Sequence, residues 1–312
     1  MTLQPLEGVL PVKKPVGFTS HDVVAKVRGI TRTRRIGHTG TLDPQVTGVL
    51  PLCIGRATRV VEYIQELPKE YEAVLKVGYS TDTEDATGRV TEQVDKVEIT
   101  SEQVMRTLAS FVGVIEQIPP MFSAVKVEGK RLYELAREGI EIERKARKIQ
   151  IYELELLHMD LDRAHPEIRF RTKCSKGTYI RTLCTDIGRA LGYPAVMSDL
   201  VRTSTGFIQL SQCLDLEEIA ERMADGTLQS YMIPADQAVT HIPAYTVSEV
   251  EARKALQGQS LPIEISETKR SVSELFRLYG QSTIPDDKLN NFLGIFRYDE
   301  EKKLLKPEKV FN

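Results

Sequence analysis

The fold is decided by residues 35–51, which read RIGHTGTLDPQVTGVLP. The glycines of this stretch permit backbone conformations and close approaches that other residues resist. Asp43 stands directly before Pro44, and that position disfavours helical backbone and favours an extended one. We therefore predict a long structured loop over residues 31–50, with Asp43 as a candidate reactive group on a rigid turn. The alternative is that Asp43 is a turn residue that hydrogen-bonds its own backbone.

Hydrophobic patterns predict regular elements on both sides of this loop. The segment from Thr19 to Asp22 offers an N-cap and a first-turn carboxylate for a short helix that ends at Gly29. Alternating apolar residues predict strands at 71–79, 152–156 and 168–174, and helical spacing predicts helices at 101–112 and 180–191. Because these elements do not follow a regular βαβ order, we predict an α+β fold with a mainly antiparallel central sheet.

The pattern changes near residue 243, where a smaller unit is predicted to begin. Ser248 can cap a helix that runs to Leu256, and short apolar runs from residue 292 onward indicate a hairpin. We predict a large domain over residues 1–240 and a small, mostly β module over residues 241–312.

Composition excludes several classes of protein. The chain has 312 residues, of which 41% are hydrophobic and 28% charged, as expected for a globular protein with two cores. No apolar run has membrane-spanning length, and the N-terminus does not resemble a signal peptide. The chain has 4 cysteines and no CxxC pair, which favours a reduced, cytoplasmic protein without a structural zinc site. No HExxH or nucleotide-phosphate motif is present.

Basic residues are clustered although the formal net charge is −2. One cluster comprises Lys13, Lys14, Lys26, Arg28, Arg32, Arg34 and Arg35, and a second comprises Arg144, Lys145, Arg147 and Lys148. Local clusters of this kind can neutralise nucleic-acid phosphates even on an acidic protein. A solvated basic surface is the alternative.

The stretch GHTGTLDPQVTGVLPLCIGRATR, at residues 37–59, resembles the signature motif of the TruB pseudouridine synthases. Further blocks resemble the family in the same order: KPVGFTS (14–20), KEY (69–71), IPPMFSAVK (118–126), SKGTYIRTL (175–183) and LVRT (200–203). Residues 241–312 resemble the family's small PUA-like RNA-binding module more loosely. Phe122 stands where many relatives have tyrosine, so no hydroxyl chemistry is assigned to it.

The resemblance implies a pseudouridine-synthase fold and a catalytic site of Asp43, Tyr71 and Arg181. Asp43 is expected to act as a nucleophile on a flipped-out uridine, by attack at C1′, by attack on the uracil ring or through a glycal route. Arg181 is expected to keep that carboxylate ionised when the base excludes water, and Tyr71 to pack on the uracil and exchange a proton. Read without the family, the favoured interpretations are that Arg181 is a surface arginine and that Tyr71 is a core tyrosine.

Four further residues are expected to bind substrate: His38, Leu200, Lys14 and Lys126. The resemblance implies that His38 stacks on a nucleotide, that Leu200 packs on the base, and that the two lysines steady the active-site loop or phosphates. Without the family, a loop histidine bonded to backbone and a core leucine are the alternatives. The resemblance also implies that residues 126–150 form an insertion that clamps the T-stem-loop of tRNA, for which a mobile surface hairpin is the alternative. The acidic turn at 82–85 is interpreted as a solvated loop, because its spacing does not fit a calcium site.

The implied activity is conversion of uridine 55 of tRNA to pseudouridine, without a metal, a cofactor, a guide RNA or an obligatory protein partner, by a cytoplasmic monomer. Three alternatives stay open: a non-catalytic RNA-binding protein, the guide-RNA-dependent branch of the family, and a carboxylate glycosidase. The last needs a second acidic group across the glycosidic bond, and the matched blocks do not supply one.

Overall fold

A computed structural model describes residues 6–127, 129–262, 274–281 and 292–312. The strands are β1 (Gly8–Lys14), β2 (Ile36–His38), β3 (Thr47–Ile54), β4 (Lys69–Val77), β5 (Tyr79–Thr81), β6 (Val90–Gln93), β7 (Gly113–Gln117), β8 (Lys126–Val127), β9 (Lys130–Arg131), β10 (Arg147–Asp160), β11 (Glu167–Cys174), β12 (Ala195–Thr205), β13 (Ile208–Gln209), β14 (Ala244–Val247), β15 (Leu261–Pro262), β16 (Leu275–Gly280), β17 (Phe292–Asp299) and β18 (Leu304–Val310). The helices are α1 (Ser20–Thr31), α2 (Val61–Glu66), α3 (Ser101–Ser110), α4 (Leu132–Arg137), α5 (Ile180–Leu191), α6 (Leu216–Ala224) and α7 (Glu249–Leu256).

The larger sheet has the order β1-β3-β12-β4-β11-β10-β7, with β2 alongside β3 and β13 alongside β12. Its pairs are antiparallel except for a short parallel contact between β12 and β3. Helices α3 and α5 pack on the sheet through a core that includes Leu108, Phe170 and Leu183. Burial of each such side chain contributes roughly 1.5–3 kcal/mol. The predicted α+β class with a mainly antiparallel sheet is confirmed.

The small sheet has the order β14-β16-β17-β18-β15 and forms the C-terminal β module. Helix α7 packs against it, and Ser248 caps that helix as predicted by accepting a hydrogen bond from the amide of Glu251. The predicted hairpin is the antiparallel pair β17–β18. Parts of the module lie outside the described residues, and the domain boundary at residue 240 stays a prediction.

Several boundaries differ from the sequence prediction. Helix α1 continues to Thr31 and ends where Arg32 adopts a left-handed conformation, with φ of 52°. The segment 31–50 is not entirely loop, because β2 lies within it and β3 begins at Thr47. Strand β3 pairs with β1 and β12, which are distant in sequence, and β2 pairs with β3 across the Asp43 turn. Neither strand has the alternating pattern that would reveal it locally.

Candidate active site

Asp43 lies on a tight connection between β2 and β3 that is fixed on both sides. The amide of Leu42 donates to the hydroxyl of Ser20 at 2.9 Å, and the amide of Gly17 donates to the carbonyl of Pro44 at 2.8 Å. The turn closes where the amide of Val46 donates to the carbonyl of Asp43 at 3.0 Å. These bonds use backbone groups only at Asp43, so its carboxylate is available to other partners.

The carboxylate of Asp43 forms an ion pair with Arg181, with 3.0 Å between Oδ2 and Nε. The Arg181 side chain is only 6% exposed, whereas that of Asp43 is 43% exposed. Nη1 of Arg181 donates to the carbonyl of Thr83 at 2.9 Å, and Nη2 donates to the carbonyl of Phe122 at 2.7 Å. The guanidinium is therefore held by three segments of the chain, and it presents a fixed charge to a carboxylate that faces solvent.

Arg181 reaches this position because it lies in the first turn of α5. The backbone amide of Tyr179, just before the helix, donates to Oε1 of Gln117 at 2.8 Å, and Nε2 of Gln117 donates to the Tyr179 carbonyl at 3.0 Å. This two-way amide contact joins the start of α5 to the end of β7. The alternative of a surface position for Arg181 is wrong.

Tyr71 is buried on β4, where it packs with Leu42, Val46 and Leu200. Burial raises the pKa of the Tyr71 phenol, and Arg202 opposes that effect by its charge and by hydrogen bonding. Asp43 also acts on this phenol electrostatically. Tyr71 is therefore packed like a core residue, and the pKa of its phenol depends on the charges of Arg202 and Asp43.

Lys14 is completely buried beneath the Asp43 turn. Its Nζ donates to the carbonyls of Pro15 at 2.9 Å and of Pro44 at 3.0 Å. Burial lowers the pKa of Lys14 to about 8, while the charge of Asp43 works in the opposite direction. Lys14 thus supports the turn from within, and its position does not suit direct contact with an RNA phosphate.

His38 is half-buried at the end of β2. Its Nδ1 accepts a hydrogen bond from the amide of Gly40 at 3.3 Å, so the neutral ring carries its proton on Nε2. The ring packs edge-on against His21, with 5.3 Å between the ring centroids. Burial lowers the pKa of His38, which favours the neutral, stackable form. The hydrogen bond from the Gly40 amide to His38 does not exclude a role in which the His38 ring stacks on a nucleotide.

Residues 28–180 match the TruB family pseudouridylate synthase (N terminal domain), and residues 181–240 match the tRNA pseudouridylate synthase B C-terminal domain. The chain belongs to the TruB family. It is 45% identical to the tRNA pseudouridine synthase B of Bacillus cytotoxicus, over 98% of this chain and 97% of that protein. It is 50% identical to the enzyme of the same name from Geobacillus thermodenitrificans, over 82% and 86% of the two chains.

Among solved structures, this TruB-family chain is similar to Cbf5 in a Cbf5-Nop10-Gar1 complex. The TM-score is 0.73 at 25% sequence identity, and the match covers 98% of this chain and 85% of Cbf5. The similarity therefore includes both the large sheet and the C-terminal β module.

The predicted site residues of this TruB-family chain are not all in contact with one another. Asp43 and Arg181 are in contact, Tyr71 and Leu200 share the adjacent core, and Lys14 lies below the turn. Lys126 is exposed on β8, and no hydrogen bond or ion pair among the described residues joins it to Asp43 or Arg181. Its contact with substrate stays a prediction.

Two features of the site were missed by sequence reasoning. Arg202 lies in the LVRT block and is buried beside Tyr71, but its residue type alone suggested no interior position. The turn at 82–85 is not simply solvated, because the Thr83 carbonyl binds Arg181 and the Glu84 carboxylate accepts a hydrogen bond from the hydroxyl of Thr182 at 2.6 Å. Glu84 in that turn has a positive φ of 63°, a backbone conformation that is uncommon for a residue other than glycine and that the sequence did not indicate.

No group of three or more His, Cys, Asp or Glu side chains among the described residues is arranged to hold a metal ion. Nor does any helix in the described part of the chain have the length and apolar character needed to cross a membrane.

Proposed function

We propose that this protein isomerises uridine 55 in the T-stem-loop of tRNA to pseudouridine, with Asp43 as the nucleophile. The observation that carries the proposal is the ion pair at 3.0 Å between a solvent-facing Asp43 and a buried Arg181. The reaction breaks the N1–C1′ bond of uridine, turns the uracil and rejoins it through C5. A carboxylate can form the covalent intermediate that such a reaction needs.

Arg181 keeps Asp43 ionised and oriented when a bound base displaces water. Desolvation disfavours a carboxylate, and an adjacent guanidinium compensates for that effect. The guanidinium does not need to reorganise, because carbonyls of Thr83 and Phe122 already hold its other nitrogens.

The neighbouring side chains receive the flipped uridine. Leu200 and Tyr71 form an apolar surface for the uracil, and the Tyr71 phenol exchanges the proton that C5 loses when the product forms. The half-buried His38 ring stacks on a nucleotide beside the vacated position. Extrusion of the base costs a few kcal/mol, which contacts with the RNA backbone must offset.

The insertion at residues 126–150 clamps the RNA, and its exposed basic residues Lys145, Arg147 and Lys148 supply the phosphate contacts. We assign stand-alone action on tRNA because the two bacterial relatives are named tRNA pseudouridine synthase B and match this chain over most of its length. Their identity exceeds the 25% found with Cbf5, which was solved together with Nop10 and Gar1. That the protein acts as a cytoplasmic monomer is a further part of the proposal and comes from the sequence alone.

Tritium release from C5-labelled T-arm transcript tests the proposal. Asp43→Asn should lower the single-turnover rate at least about a thousandfold and leave RNA affinity within about twofold, because its amide cannot act as a nucleophile. Asp95→Asn, at an exposed loop position, is the matched control and should react at the parental rate.

Three results are informative beyond the rate itself. Binding without turnover by the parent protein would favour a non-catalytic RNA-binding role. Turnover only after addition of a guide RNA or partner proteins would favour the guide-dependent branch. Parental activity of Asp43→Asn would exclude the nucleophile assigned here.

A further inference from the structure

Arg202 brings a positive charge into the protein interior beside the Asp43 turn. The side chain is 2% exposed and is the largest of the fully buried side chains. Its Nε donates to the carbonyl of Val49 at 2.6 Å, and Nη2 donates to the carbonyl of Gly40 at 3.4 Å. These carbonyls belong to the two chain segments that flank Asp43. None of the ion pairs between described side chains includes Arg202, although an unpaired buried charge is costly.

Tyr71 lies directly opposite Arg202. The two residues are paired across the antiparallel strands β4 and β12, and paired residues project from the same face of a sheet. The charged and titratable groups that act on the Tyr71 phenol are Arg202 on β12, Cys174 on β11 and Asp43 on the turn. Arg202 lowers the pKa of Tyr71, and the other two raise it, as burial does.

We propose that Arg202 is a positioning residue that couples the Asp43 turn to Tyr71, orienting the phenol as a hydrogen-bond acceptor and making its proton exchange easier. The inference rests on the proposed role of Tyr71 as a base. A guanidinium can only donate, so the phenol oxygen must accept, and any negative charge on that oxygen is stabilised.

The proton transfer served by this arrangement is balanced within the reaction. After C5 has bonded to C1′, the ring has an N1=C6 double bond and still carries the hydrogen on C5. The C5–H bond then breaks, its electron pair forms the C5–C6 double bond, and the N1=C6 pair moves to N1, which takes up a proton from solvent. The proton from C5 forms an O–H bond with the oxygen of Tyr71, which is in the phenolate form because the phenol has first given its own proton to solvent. The transferred proton later leaves to solvent in the same way. Arg202 makes neither of these bonds, but its charge favours the phenolate that receives the proton.

The first test measures the phenol directly. With tyrosine labelled at 13Cζ, the NMR titration midpoint of Tyr71 should move to higher pH in Arg202→Gln and stay near the parental value in Arg202→Lys, which keeps the charge. Arg171→Gln is the matched control, because Arg171 is a partly exposed arginine on β11 that pairs with Glu72. An unchanged midpoint in Arg202→Gln would overturn the proposal.

The second test is a double-mutant cycle on the single-turnover rate. Arg202→Gln should slow the parent at least tenfold at pH 7, but should slow Tyr71→Phe by less than about twofold. Equal losses in both backgrounds would mean that Arg202 is merely structural. If Arg202→Gln does not fold, the same cycle is run with Arg202→Met, which removes the charge and fills a similar volume. An effect of Arg202→Met that depends on Tyr71 supports the coupling, and equal losses in both backgrounds refute it.

The two levels of the proposal fail in distinguishable ways. A Tyr71→Phe protein with parental rate would refute the assigned role of Tyr71, and with it the basis of the inference. A Tyr71→Phe protein that is much slower than the parent but still measurable, together with additive effects of Arg202→Gln, would refute only the inference on Arg202.

Discussion

At the scale of single residues, the pair of Asp43 and Arg181 is asymmetric in burial. Arg181 is almost fully enclosed and has carbonyl acceptors besides the carboxylate, whereas Asp43 retains access to solvent. Loss of the carboxylate therefore leaves a cation that is still hydrogen-bonded. Loss of the guanidinium removes the donor from two partly buried carbonyls and from the carboxylate, which is the more damaging change.

We expect Arg181→Met to abolish turnover and to lower the free energy of unfolding by about 1–3 kcal/mol, because two partly buried carbonyl acceptors lose their donor. Arg181→Lys should retain some activity, about a hundredfold below the parent, since a single ammonium cannot replace the planar fork. Urea unfolding and tritium release measure the two effects. Arg189→Met is the control on the same helix, because Arg189 is exposed and pairs only with its neighbour Asp186. A stable, active Arg181→Met protein would contradict the assigned geometry.

Lys14 should make folding stability depend on pH. Its pKa is about 8 in the folded protein and near 10.5 when exposed, so the unfolded chain binds more protons between these values. The stabilisation by Lys14 relative to Lys14→Met should therefore be smallest below pH 8 and should rise as the pH increases towards 10.5. Unfolding free energies of the two proteins at pH 7, 8.5 and 9.5 would show whether the stabilisation by Lys14 rises with pH. A difference that falls with pH would mean that Lys14 is not buried as a cation.

At the scale of elements, the strands and helices with a complete local pattern were predicted, whereas β2 and the start of β3, which lack such a pattern, were placed in a loop. Helix α3 begins at the predicted residue 101, where Thr100 and Gln103 form a capping box by bonding each other's backbone. Helix α5 spans the predicted residues 180–191 and ends where Gly192 adopts a left-handed conformation. In contrast, Gly48 looks like a loop residue but pairs with Arg202 on β12, where an added Cβ would clash with the Arg202 carbonyl. Only the folded sheet reveals that contact.

The hairpin formed by β8 and β9 continues into α4 and leads back to β10, and it presents basic residues unevenly. Arg144 is half-buried and donates to the carbonyl of Pro119 at 3.1 Å, so we assign it a structural role and not a phosphate contact. We expect Lys145→Ala and Arg147→Ala each to reduce the slope of log affinity against log salt by about 0.7–0.9, as one phosphate contact does. Arg106→Ala on α3, where Arg106 pairs with Glu102, should leave the slope unchanged. Fluorescence titrations of T-arm RNA at several salt concentrations measure this slope. Equal slopes for all variants would argue against a role of residues 126–150 in clamping the RNA.

At the scale of the whole molecule, the C-terminal β module shares a hydrophobic core with the large domain. Phe311 and Ile295 from the module pack with Val60 and Ile64, and Nζ of Lys309 lies 2.7 Å from the carboxylate of Glu62. The amino-acid sequence predicted the module but not this interface, because the apolar residues on each side are separated by more than 200 positions. Common burial of this kind restricts relative motion of the two parts.

We expect Phe311→Ala to lower the free energy of unfolding by about 3–5 kcal/mol, the usual cost of emptying a buried aromatic site. Because the lost contacts join the two parts, calorimetry should show two transitions in this variant and one in the parent. Phe207→Ala removes a phenylalanine that is 44% exposed and should change little. A single, shifted transition in Phe311→Ala would mean that the module unfolds with the large domain through other contacts.

The bonds that fix the Asp43 turn have a consequence for which RNAs react fastest. Leu42 and Pro44 are already tied to Ser20 and Gly17 before any RNA arrives, so the reactive carboxylate has one resting geometry. The rearrangement required for an encounter to become productive therefore belongs to the nucleic acid. We therefore expect the reaction rate to depend on how easily the RNA loop deforms. Among RNAs of identical loop sequence, flexible loops should react faster than rigid ones.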